Sequence, residues 1–202
     1  MEPGSYNETW ALANAYSGLL VNQFQKANDQ FLWSGDQAGC DASYGLTTII
    51  SGSTAGVVTA GTADATLTNM DAMIAALSSD VADRDDLTFF MSVSKFRQFV
   101  SDIRTSNSYY FDPAAISNRG GILEMAYPFQ NIKVVGTVGL QGSGRIVLGP
   151  AKQVVAGTDL MSDFSEFQLW YDINSDELKH RISTKLGVNI AYPEFWVSND
   201  VA

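Results

Sequence analysis

From Leu178 to Tyr192 the chain alternates. Leu178, His180, Ile182, Thr184, Leu186, Val188, Ile190 and Tyr192 hold every second position, and Lys179, Arg181, Ser183, Lys185, Gly187 and Asn189 lie between them. A period of two belongs to a strand with one face buried. Sustained over about fifteen residues, it far exceeds the usual strand of ~5–6 residues. Upstream, Phe167, Leu169 and Tyr171 alternate with Gln168 and Trp170, and Asn174-Ser175-Asp176 between the two runs reads as a turn. The pattern predicts a long hairpin that Pro193 ends. An isolated hairpin is marginal in water, so its apolar face needs a partner.

The partner is predicted at the other end of the chain. Tyr16, Leu20, Phe24, Ala27 and Phe31 recur at steps of three or four, one face of a helix running from about Tyr6 to Trp33. Pro3, Gly4 and Ser5 precede it as breakers, and Gly35 stops it where a left-handed residue is common. At 1.5 Å per residue the helix would be about 40 Å long. Two elements this long in one small chain imply an extended body. The expected class is α+β, with residues 1–64 and 164–202 forming one peripheral domain and residues 65–163 inserted as a second.

Within the middle, Ser34 to Ala65 is rich in Gly, Ser, Thr and Ala and reads mostly as loop, with Thr47 to Ile50 as a short strand. Thr68-Asn69-Met70-Asp71 fits a capping box, followed by a helix whose apolar face is Met70, Met73, Ile74 and Leu77. Leu87 to Val93 has the length of a buried strand, and Ser94 is placed to cap a helix carrying Phe96, Phe99, Val100 and Ile103. Ser106 to Phe129 reads as irregular. Strand signals resume at Ile132 to Val138 and Arg145 to Leu148, joined by the turn-rich Gly139 to Gly144.

Composition excludes several classes. Of 202 residues, 46% are hydrophobic and 17% charged, too apolar and too weakly charged for a disordered tail. No apolar run approaches the ~18 residues of a membrane span, and Met1-Glu2-Pro3-Gly4 opens no signal peptide. Twelve basic against 22 acidic residues give a net charge of −10, the wrong sign for a dedicated nucleic-acid module. Cys40 stands alone, so neither an internal disulfide nor a cysteine zinc site forms.

Candidate chemistry is thin. His180, the one histidine, falls on the apolar side of the long strand, where a structural, partly buried ring is expected. Cys40 has no basic neighbour to lower its pKa. Ser92-Val93-Ser94-Lys95 matches S-x-x-K, a serine nucleophile motif, but no S-D-N or K-T-G accompanies it. Gly52-Ser53-Thr54-Ala55-Gly56 has Thr where a nucleophile elbow needs Ser, and Gly142-Ser143-Gly144 alone is a turn. Asp83, Asp85 and Asp86 lack the ligand spacing of a calcium loop. Asn7-Glu8-Thr9 is a glycosylation sequon. No catalytic, cofactor-binding or metal-ligating residues are expected.

Ordered blocks along the whole chain resemble one family. Phe31-Leu32-Trp33-Ser34-Gly35-Asp36, Tyr44-Gly45-Leu46, Phe89-Phe90-Met91-Ser92-Val93-Ser94-Lys95-Phe96, Tyr127-Pro128, Asn131-Ile132-Lys133-Val134-Val135, Gly157-Thr158-Asp159-Leu160, Phe167-Gln168-Leu169-Trp170-Tyr171 and Lys185-Leu186-Gly187-Val188-Asn189-Ile190-Ala191-Tyr192-Pro193-Glu194 are similar to segments of major capsid proteins of tailed bacteriophages. The resemblance implies the Hong Kong 97 phage fold: a long spine helix beside long antiparallel strands, with an inserted α+β axial domain. It implies a structural protein that self-assembles through pentamers and hexamers into an icosahedral shell around double-stranded DNA. Scaffold and portal proteins would be partners; no cofactor, sequence-specific nucleic-acid contact or membrane is implied. The implied location is the virion, after synthesis in the bacterial host cytoplasm. Family members carry an N-terminal arm and an extended loop before the spine helix. Here that helix starts almost at once, so a chain lacking both, and monomeric or weakly oligomeric by itself, is expected. An encapsulin-type nanocompartment shell is the alternative within the fold. A small serine hydrolase using Ser92 and Lys95 is the alternative outside it.

Overall fold

The computed structural model describes residues 5–35, 44–52, 57–59, 67–106, 116–119, 122–128, 130, 132–157, 166–175, 177–183 and 186–199. Four helices run through them: α1 (Ser5–Ser34), α2 (Leu46–Gly52), α3 (Leu67–Ala75) and α4 (Val93–Ser106). The strands are β1 (Val57–Thr59), β2 (Leu87–Ser92), β3 (Ser117–Arg119), β4 (Ile122–Ala126), β5 (Lys133–Thr137), β6 (Ile146–Pro150), β7 (Val154–Gly157), β8 (Glu166–Asp172), β9 (Glu177–Ser183), β10 (Gly187–Ile190) and β11 (Val197–Asn199).

A mixed sheet in the order β1-β11-β6-β2-β5-β4-β3 forms the body. Strand β2 lies parallel to β5 and β1 parallel to β11, and the other neighbours are antiparallel. Both faces of the sheet's middle are covered, so its central strands read as unbroken apolar runs. All five residues of β6 are buried. One face carries Phe89, Met91, Val134, Ile146, Leu148 and Val197 against Met70 and Met73 of α3 and Phe96, Phe99 and Ile103 of α4. The opposite face carries Val147 and the half-buried Phe90, which meet Trp33, Leu46, Ile50, Leu140, Val188, Ile190 and Trp196. This second core is assembled from the two ends of the chain. Together the cores bury some twenty large apolar side chains, each worth about 1.5–3 kcal/mol.

The spine helix, the β2 strand, the α4 stripe and the strands at β5 and β6 form where the sequence predicts them. Five local expectations are corrected. Thr47 to Ile50 is helical, not extended. Thr47 Oγ1 donates to the Trp33 carbonyl at 2.7 Å, and Thr48 and Ile49 N–H both reach the Gly45 carbonyl, so tertiary anchoring overrides the β-branched preference. Helix α3 starts at Leu67, so Thr68 lies inside it; Asp71 accepts the Tyr127 hydroxyl at 2.7 Å rather than closing a capping box. The acceptor at the start of α4 is Ser92 Oγ, bonded by the Lys95 amide at 3.3 Å, and not Ser94. Part of the stretch expected to be irregular forms the hairpin β3–β4, paired Ser117 with Glu124 through Arg119 with Ile122. Gly35 is not left-handed. A β-carbon there would meet the Phe31 carbonyl oxygen at 2.5 Å, and the Gly35 amide bonds that same oxygen at 2.8 Å.

The long alternating run is also divided. Residues 177–183 pair with β8, Glu166 against Ser183 through Asp172 against Glu177, while residues 187–190 pair with β7. On β10 the alternation marks burial, Val188 and Ile190 being buried and Asn189 between them exposed, whereas His180 of the β9 half is exposed. Periodicity records which face is buried, not which strand lies alongside.

Candidate functional site

Residues with chemistry of their own are occupied structurally. Ser92 is buried, and its hydroxyl faces the backbone amide of Lys95; the Lys95 ammonium is bonded instead to Gln98 Oε1 at 3.3 Å. The S-x-x-K match is thus a helix start, with no lysine nitrogen on the serine oxygen. Asp86 is buried and held in a two-pronged pair by Arg84, Nε to Oδ1 and Nη2 to Oδ2 both at 2.8 Å. That hydrogen bond is the main cause holding the Asp86 carboxyl below its ordinary value; burial opposes it. Asp85 faces Lys152 across 3.6 Å at the exposed surface. Among the described residues no three His, Cys, Asp or Glu side chains converge as a metal site. Nor, among them, is any helix long and apolar enough to cross a membrane. Cys40 and Ser53 to Gly56 lie outside the described residues, and Asn7-Glu8-Thr9 falls in the first turns of α1.

The structure instead builds a joint. Near its C-terminal end, α1 presents Asp29 and Trp33 to the turn after β5. Asp29 Oδ2 accepts from Thr137 Oγ1 at 2.7 Å and from the Gly139 amide at 2.6 Å. The Trp33 indole lies tilted on Phe90, centroids 5.0 Å apart, and Phe90 stacks on Trp196 at 6.2 Å. Trp196 in turn fills the space above Gly149, where a β-carbon would lie 2.3 Å from its ring. An N-terminal helix, a central strand and the C-terminal segment are thereby clamped in one aromatic stack. The periodic stripe of α1 did not mark this anchor. Leu20, Phe24 and Phe31 are only half-buried and Tyr16 and Ala27 exposed, while Trp33, off the stripe, is 6% exposed.

Beyond the joint, helix and ribbon meet again. His180 on β9, expected to be partly buried, is exposed and meets the Tyr16 ring edge-on, centroids 6.0 Å apart and planes at 81°. From Trp33 back to Tyr16 the helix rises about 26 Å, so α1 meets the C-terminal part of the chain at two well-separated points, through Trp33 in the second core and through Tyr16 at His180. On β8–β9 the side away from His180 carries Gln168, Trp170, Asp172, Glu177, Lys179 and Arg181. Lys179 pairs with Asp172, and this bond is the main cause lowering the Asp172 carboxyl.

Exposed large apolar side chains concentrate on the rod and ribbon: Tyr16, Leu19 and Val21 on α1, Val155 on β7, Trp170 on β8, Ile173 at the hairpin turn and Tyr192. Tyr44 before α2 and Ile122 on β4 are exposed as well.

No protein-family model and no curated protein matches the chain. Solved structures do. The holo-SrpI encapsulin complex from Synechococcus elongatus PCC 7942 is similar at a TM-score of 0.57 and 12% identity, over 90% of this chain and 62% of that one. A Mycobacterium phage Che8 structure is similar at 0.53 and 11%, over 94% and 62%. The capsid of an empty GTA particle is similar at 0.60 and 14%, over 95% and 72%. The chain therefore spans 62% of the length of the first two. Identity this low speaks to architecture alone, and the architecture is the Hong Kong 97 type, α+β, shared by capsid and encapsulin shells.

Proposed function

We propose that the chain is a structural subunit of a self-assembling shell. The observation that carries this reading is the fold, shared with capsid and encapsulin structures over nine-tenths or more of the chain. The engagement of Ser92, Lys95 and Asp86 in structural bonds supports the same reading, since it leaves the hydrolase alternative without a nucleophile–base pair. In this reading residues 1–64 and 164–202 are the peripheral part and residues 65–163 the axial part, with β1 and β11 stitching them into one sheet.

Within the shell class we favour the major capsid protein of a tailed phage. Pentamers and hexamers of it would enclose double-stranded DNA, with scaffold and portal as partners and the virion as location. A net charge of −10 suits a wall that does not grip its contents, because like charges repel across a screened distance of about 8–10 Å. The encapsulin likeness supports the second reading, a compartment holding protein cargo. Expressing the complete reading frame that encodes the chain and examining sedimented material by electron microscopy tests both. Closed particles are expected, and nuclease-protected DNA or a co-purifying protein decides between them. A product that stays monomeric at every concentration would overturn the shell reading. Weak retention on DNA–cellulose at low salt is expected as well; tight retention would contradict it.

A further inference from the structure

The outer face of β8–β9 has a pattern of its own. The register sets Asp172 beside Glu177, then Trp170 beside Lys179, then Gln168 beside Arg181, in three rows running inward from the turn. Trp170 is 44% exposed, a large apolar ring held in water. Glu177 and Arg181 are exposed, and among the described residues neither forms an ion pair. Lys179 is engaged by Asp172 of its own hairpin. A two-stranded hairpin is marginally stable by itself, so an exposed face with an aromatic centre invites a second layer.

The outer rows are complementary to each other, and Lys179 in the middle row, which would meet its own copy, is already paired with Asp172 of its own hairpin. A second copy turned by 180° about an axis across the strands, at the Trp170 row, lies face to face with the first. In that arrangement Glu177 of each chain falls over Arg181 of the other, twice, and the two Trp170 rings meet at the axis. We propose that this face docks on the same face of a second copy of the chain. The proposal rests on the shell reading and names one of its contacts. The size of the face sets its strength. Seven paired positions at ~3.4 Å by two strands give a footprint of roughly 240 Å². That is well under the ~800 Å² per partner of a stable pair, so the contact is weak alone and useful only when several contacts act together. A polyanion is the less favoured occupant: Asp172 and Glu177 flank the indole, and the chain carries −10 overall.

Charge reversal tests it. Sedimentation velocity of the purified chain, up to roughly millimolar, should show a weak dimer that salt loosens. Arg181→Glu and Glu177→Arg should each weaken it about tenfold or more, and the double reversal should restore it. Trp170→Ser should abolish it, with the circular-dichroism spectrum unchanged. A wild type that stays monomeric throughout, single reversals without effect, or a double reversal that fails to rescue would each overturn the proposal. So would binding of an oligonucleotide that Trp170→Ser removes. Normal shells built from Arg181→Glu chains would sink this contact and leave the shell reading standing. Rescue by the double reversal without any shells would do the opposite.

Discussion

Gly139 lies against the indole of Trp33 with no room for a side chain: a β-carbon there would come within 2.3 Å of Cδ1 and 2.5 Å of the Asp29 carbonyl oxygen. The close approach seats the spine helix on the sheet. Gly139→Ala must push backbone apart, and overpacking of this kind costs typically about 1–3 kcal/mol. The upper end is expected, because the nearest atoms include main chain. Urea unfolding of the variant measures it, and an unchanged midpoint would contradict the seating.

Asp29 holds the same joint electrostatically. Asp29→Ala strands the Thr137 hydroxyl and leaves the Gly139 amide only its longer bond to Thr137 Oγ1 at 3.2 Å, at about 1–3 kcal/mol. Thr137→Val removes one donor with little change of shape. A double-mutant cycle should give a coupling of at least about 0.5 kcal/mol between the two positions. Additive losses would mean that the bond contributes nothing.

Ser92 is predicted to matter for folding and not for reactivity. Ser92→Ala should lose about 0.5–2 kcal/mol through the start of α4. Neither wild type nor variant should take up a fluorophosphonate or β-lactam probe. Labelling at Ser92 would revive the hydrolase alternative.

The Arg84–Asp86 pair predicts an acid-sensitive contribution to stability. Asp86 binds its proton more weakly folded than unfolded, chiefly because Arg84 bonds the carboxylate. Its contribution is therefore complete above the unfolded value of 3.8 and fades as pH drops through the lower folded value. Arg84→Met should lower stability at pH 7 and flatten the loss between pH 5 and 2. Parallel acid profiles of variant and wild type would contradict the pairing.

Tyr127 is predicted to ionise late. Burial first, then its bond to Asp71, raises the phenol far above its ordinary 10.0. The folded chain refuses to release a proton that the unfolded chain releases, so this group lowers stability as pH climbs past 10. Absorbance titration should find one tyrosine missing from the first alkaline step, and Tyr127→Phe should leave that step unchanged.

Much of the candidate surface was legible because it lies on regular elements. The alternation of Gln168, Trp170 and Asp172 against Glu177, Lys179 and Arg181 puts one polar face on a hairpin before any fold is known. The joint was not legible. Asp29 looks like any solvated helix carboxylate, and Trp33 falls off the periodic stripe, because its partners Phe90 and Gly139 are more than fifty residues away.

Period and composition determined the elements themselves: a long helix, a helix stripe at Phe96, Phe99 and Ile103, buried strands, and a net charge of −10. Those follow from local geometry, since 3.6-residue and two-residue repeats need only neighbouring residues. Tertiary structure alone decided that the alternating run splits between β8 and β7 as partners. It made Thr47 to Ile50 a helix, and it closed Trp33, Phe90 and Trp196 into one stack that ties both ends of the chain together. Pairing and stacking are choices among distant surfaces, and their free energy depends on which groups arrive opposite one another.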